Sequence, residues 1–173
     1  MIRHLTFIGM ISMALTILTS CSDTVEEPIR NITAFPAPSF DLPDLMGQNH
    51  RSDDLKGNPT ILAFWTTWAP SAVMQLEDLK AVHQQYQEIG VKVIAVALDE
   101  DGIRDLELFS QHSEYPFTIL IAPPDFHENF GGIDALPTTF VINSNWQIIN
   151  RYTGRIGLIE LSKEIDFLTQ PKE

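Results

Sequence analysis

Apolar runs alternate with polar breaks along this chain, and each run has the length and period of one structural element. Thr60 to Thr66 (TILAFWT) is almost unbroken in its apolar character, the mark of a strand buried on both faces. Val91 to Leu98 reads as a second core strand, rich in β-branched residues, and Phe117 to Ile121 and Thr138 to Ile142 as shorter ones. Asn143-Ser144-Asn145-Trp146 turns the last of these into Gln147 to Tyr152, its expected antiparallel partner. Between strands the period lengthens. From Ala72 to Glu88, Val73, Leu76, Leu79, Val82 or His83, and Tyr86 recur every three to four residues, predicting a helix that Gly90 closes. Further helices are predicted over Ile103–His112 and Ile159–Leu168, with a short helical segment over Asp125–Phe130. Ahead of the first core strand, Phe40–Leu45 and Asn49–Arg51 flank Met46-Gly47-Gln48 as a hairpin, and Ser52–Gly57 reads as a single capped turn. The order β-α-β-α-β and then β-β-α predicts an α/β domain. Its central mixed β-sheet is flanked by helices and extended by the N-terminal β-hairpin.

Residues 1–20 stand apart from that pattern. Arg3 and His4 precede an apolar run from Leu5 to Leu18, shorter than the roughly 20 residues of a membrane span but right for a signal peptide. The run ends in Leu18-Thr19-Ser20-Cys21, which resembles the lipobox of bacterial lipoproteins. That resemblance implies cleavage before Cys21 and lipidation of its sulfur. The domain would then be held at the cell membrane or outer membrane, facing the periplasm or the cell exterior. An ordinary cleaved signal followed by an incidental cysteine is the alternative. Residues 21–38 read as the lipidated cysteine and a polar, acidic, flexible tether with Pro28, Pro36 and Pro38. The folded domain is expected over 39–173.

The charge narrows the partners. A net charge of −12 leaves no basic stripe for nucleic acid and none for anionic lipid, so a membrane is reached only through the N-terminal lipid. Cys21 is the sole cysteine, so neither an intrachain disulfide nor a cysteine-based zinc site can form. His50, His83, His112 and His127 have no ligand spacing among them, and no metal or other cofactor is expected. Asp99-Glu100-Asp101 reads as a solvated capping loop rather than a cation site.

Four motifs in order carry a wider resemblance. They are Ala37-Pro38-Ser39-Phe40-Asp41-Leu42, Ser52-Asp53-Asp54-Leu55-Lys56-Gly57, Phe64-Trp65-Thr66-Thr67-Trp68, and Leu136-Pro137-Thr138-Thr139-Phe140-Val141-Ile142. Together they resemble the TlpA/ResA-like thioredoxin-fold family (redoxin or AhpC/TSA-like) across roughly residues 37–170. The resemblance implies a thioredoxin fold, a cis peptide bond before Pro137, and thiol–disulfide exchange as the family's reaction. It also implies that the backbone before Pro137 pairs with an extended peptide.

The chain departs from the family where sulfur should be. The family continues Trp-Cys-x-x-Cys; here the residues are Trp68-Ala69-Pro70-Ser71-Ala72. Gln75 stands where the family often has glutamate. Exchange needs a thiolate to attack a disulfide and a second thiol to resolve the product, and alanine has nothing to ionise. Ser71 is expected to help cap the helix. The residues alone therefore point to no enzyme and no catalytic residue, with Ala69 and Ala72 as degenerate positions. The leading expectation is a redox-inactive lipoprotein binding a peptide or protein partner in the cell envelope. Trp68, Pro70, Leu136, Pro137 and Thr138 would form its groove; equally, Trp68 and Pro137 fit residues that the fold itself requires. A thiol–disulfide oxidoreductase of the TlpA/ResA type, with cysteines supplied elsewhere, is the alternative, and a purely structural lipoprotein is the third.

Overall fold

In the computed structural model, which describes residues 33–100, 103–112 and 114–170, the central strand β4 (Thr60–Trp65) is buried at every position. Its neighbours make the sheet mixed. On one side β5 (Lys92–Ala97) runs parallel to it, with Thr60 opposite Lys92 and Trp65 opposite Ala97. On the other side β7 (Thr138–Ile142) runs antiparallel, with Thr60 opposite Ile142 and Phe64 opposite Thr138. Beyond β5 lies β6 (Thr118–Ile121), and beyond β7 lies β8 (Gln147–Thr153). The outermost strand, β1 (Phe35–Pro36), pairs with β8 and completes the order β1-β8-β7-β4-β5-β6. A separate hairpin of β2 (Asp41–Pro43) and β3 (Asn49–Arg51) is the expected N-terminal extension.

Strand alternation sorts the core into two layers. Ile61, Ala63 and Trp65 of β4 and Val93, Ala95 and Ala97 of β5 point to one face. There they meet Ala72, Leu76, Leu79 and Val82 of α1 (Pro70–Tyr86), Leu106 of α2 (Ile103–Ser110), and Leu161 and Ile165 of α3 (Leu158–Thr169). Leu62, Phe64, Ile94 and Val96 point to the opposite face. The hairpin residue Leu42, Phe40, Trp146, and Phe130 of a 3-10 segment (Pro124–Phe130) cover that face. Phe64 meets Phe130 and Phe140 edge to face at 5.0 and 5.8 Å between ring centroids. This aromatic cluster fixes the 3-10 segment over the end of the sheet that carries the site.

The leader, Cys21 and the tether up to residue 32 lie outside the described residues. The fold starts earlier than the proposed boundary at 39. Phe35 and Pro36 pair with Ile148 and Gln147, the Ala37 amide donates to the Trp146 carbonyl at 3.0 Å, and Trp146 Nε1 donates to the Pro38 carbonyl at 3.2 Å. Residues 35–38 therefore belong to the domain rather than to the tether. Two prolines in four residues hid this strand, because their missing N–H groups read as a linker.

Helix α1 also begins two residues before the expected Ala72. Pro70 occupies its first position, where the absent N–H costs nothing, and Ala69 is the N-cap. Ser71 consequently lies inside the first turn, exposed, and the helix start has no side-chain cap at all. The expected capping role of Ser71 is corrected on that ground.

Candidate functional site

The register of β4 and β7 builds the site. Because Phe64 lies opposite Thr138, Pro137 sits beside the exit of β4, where the chain runs on through Thr66–Trp68 into α1. The Leu136–Pro137 bond is cis. The Pro137 carbonyl accepts the Gly154 amide at 2.8 Å, which ties this loop to the end of β8.

Ala69 and Ala72 are both buried in the layer beneath α1, at 9% and 0% exposure. Neither carries an atom that can attack a disulfide. Gln75, three residues beyond Ala72 and about one turn along the helix, is fully buried. Its Nε2 donates to the Ile156 carbonyl at 3.0 Å and its Oε1 accepts the Ile156 amide at 2.7 Å. A neutral amide satisfies both backbone groups at once, which a carboxylate could not.

The loop between β4 and α1 is held from below by a residue that the sequence reading placed in solvent. Asp99 is 2% exposed, at the end of β5. One of its carboxylate oxygens accepts both the Thr67 amide at 3.0 Å and the Thr67 hydroxyl at 2.7 Å. The solvated-loop reading of Asp99 is therefore corrected. An acidic residue just after a buried strand, level with a Thr-Thr pair that follows the neighbouring strand, was the available signal.

A groove of about 500 Å³ opens over this loop, lined by Thr66, Trp68, Leu98, Glu100, Asp105, Pro124, His127, Ile133 and Leu136. Of the expected groove residues it brings together Trp68, which is 72% exposed, and Leu136. Pro70 is exposed at the helix start, and Pro137 is buried behind Leu136. Thr138 is fully buried and donates its hydroxyl to the Ala135 carbonyl at 2.8 Å, so it is a support of the loop and not a wall of the groove. Thr66, Glu100, Asp105 and His127 were not foreseen. His127 is oriented by the Ile133 amide, which donates to Nδ1 at 3.2 Å, leaving Nε2 as its other polar atom. Among the described residues no group of three or more His, Cys, Asp or Glu could hold a metal ion.

The AhpC/TSA family matches residues 34–151. Thiol-disulfide oxidoreductase ResA of Geobacillus thermodenitrificans is 31% identical over 130 residues, covering 75% of this chain and 74% of its own. ResA of Geobacillus kaustophilus is 29% identical over the same length and share. A structure assigned as thiol:disulfide interchange protein DsbE from Chlorobium tepidum matches with a TM-score of 0.70 at 25% identity. It covers 76% of this chain and 94% of that one. These relatives overturn the expectation of no enzyme: across three-quarters of its length the chain resembles named oxidoreductases. That expectation gave two missing sulfur atoms more weight than the strand exit, helix start and proline loop that frame them. The chain belongs to the AhpC/TSA family, as a TlpA/ResA-like member with the thioredoxin fold.

Proposed function

We propose that the chain serves thiol–disulfide exchange of the ResA type, with the reacting cysteines supplied by the polypeptides it holds. A thiolate on one polypeptide attacks one sulfur of a disulfide on the other. The new bond is a mixed disulfide, and the displaced thiolate takes up a proton from solvent. The second thiol of the attacking polypeptide then gives up its proton, attacks its own partner sulfur in the mixed disulfide and expels the other polypeptide's second sulfur as a thiolate, which is protonated in turn; the attacking polypeptide leaves oxidised and the other reduced.

The chain's own residues contribute placement and electrostatics. The observation that carries this reading is the uncapped start of α1 next to the Leu136–Pro137 edge. The helix dipole there favours a thiolate over a thiol. Ala69 and Ala72 leave that helix start without a side chain that competes for it. The backbone at Leu136 offers an edge for an extended segment, as in strand addition. The lipobox-like Leu18–Cys21 supports an anchor in the cell envelope. No helix among the described residues is long and apolar enough to cross a membrane.

Amide hydrogen exchange tests the docking step. Addition of a short oxidised Cys-x-x-Cys peptide to the full chain should slow exchange at Leu136 about tenfold, as a new backbone hydrogen bond does. Unchanged exchange there at saturating peptide would remove the basis of the proposal.

A further inference from the structure

We infer that the groove over Thr66 seats a basic side chain, arginine in preference to lysine, of the polypeptide held at Leu136. This rests on the docking proposed above and adds the identity of a neighbouring residue that the chain selects.

Four features converge on a cation. Glu100, in the turn after β5, and Asp105, on α2, bring two carboxylates to the groove, and none of its lining residues is lysine or arginine. Beneath them lies the buried Asp99 carboxylate, whose partners here, the Thr67 amide and hydroxyl, carry no positive charge. Thr66 lines the groove at 1% exposure, and its hydroxyl has no hydrogen-bond partner among the described residues. A buried hydroxyl without a partner costs free energy until a ligand supplies one. Finally, the Trp68 ring stands exposed at the rim, where a cation can lie against its face.

Arginine fits this set better than lysine. A planar guanidinium stacks on an aromatic ring and still directs its remaining N–H groups at several acceptors. Here those acceptors are the two carboxylates and the Thr66 hydroxyl. The groove, at about 500 Å³, has room for the side chain and for flanking backbone.

The experiment uses the full chain in a mild detergent. The probes are short peptides with serine in place of cysteine, one arginine being moved through the flanking positions, and a matched series with the neutral isostere citrulline. At one or two positions arginine should bind about tenfold tighter than citrulline, the sum of one cation–π contact and partly desolvated ion pairs. Glu100→Gln with Asp105→Asn should narrow the difference between the two series to about the two- to threefold that the Trp68 contact supplies, and Glu100→Gln alone, at an exposed position, should remove part of it. Equal binding of arginine and citrulline peptides at every position, with Leu136 still protected from exchange, overturns the arginine site and leaves the docking reading standing. Failure of all peptides to protect Leu136 overturns both.

Discussion

Gln75 and Ile156 hold each other through two hydrogen bonds, amide to carbonyl at 3.0 Å and amide to amide oxygen at 2.7 Å, with Gln75 fully buried. The pair clamps the first turns of α1 to the segment that leads into α3. Gln75→Ala leaves a buried N–H and a buried carbonyl without partners and should cost about 2–4 kcal/mol. Gln75→Glu keeps an acceptor and loses the donor. Burial favours the neutral acid, so its folded pKa rises above the unfolded value. The variant should approach wild-type stability near pH 4 and fall away as pH rises through the folded value. Chemical denaturation at several pH values measures both.

Asp99 and Thr67 fix the loop that carries Trp68. Asp99→Ala removes a charged acceptor from two donors and should destabilise the chain by about 2–3 kcal/mol. Loosening should concentrate at residues 66–69. Amide exchange faster at Thr67 and Trp68 than in β5 is the expected pattern, and a uniform change across the sheet would assign Asp99 to the core instead.

The hairpin has its own pH response. His50 Nε2 pairs with Asp44 Oδ2 at 2.9 Å, and Asp44 Oδ1 accepts the Met46 and Gln48 amides. The hydrogen bond from His50 is the main reason that the Asp44 carboxyl titrates below its ordinary 3.8, with the two backbone amides adding to it. A depressed folded pKa contributes stability that is complete above about 3.8 and is lost as pH falls through the lower folded value. Protection of the Met46 and Gln48 amides should therefore fade in that acidic window, and Asp44→Asn should abolish the transition.

Restoring sulfur tests the frame separately from the docking. Ala69 is slightly exposed and Ala72 is not, so in the double variant Ala69→Cys, Ala72→Cys the outer thiol attacks and the inner one resolves. The helix start should lower the outer thiol's pKa below its usual value of about 8.5. The variant should reduce insulin disulfides, and residue 69 should be alkylated well before residue 72. Equal alkylation of the two would mean that the helix start is not arranged as described.

Much of this fold was written in periodicity. The apolar run at Thr60–Thr66 and the three-to-four spacing from Leu76 to Tyr86 fix β4 and α1 because both elements bury their whole pattern. The strand at Phe35–Pro36 was illegible because it is two residues long and held by pairing with β8, a partner more than one hundred residues away. The site was half legible. Trp68, Leu136 and Pro137 came from motif. Asp99, Glu100 and Asp105 did not, because acidic residues after a strand usually face water, and only the fold places one of them underneath Thr67.

The most direct measurement of the central claim is the rate of exchange between a reduced dithiol protein and a disulfide peptide, with the full chain at substoichiometric concentration. The account predicts a rate that rises in proportion to the chain, and that returns to the uncatalysed value in Leu136→Asp. A rate independent of the chain, or one unchanged by Leu136→Asp, would contradict it.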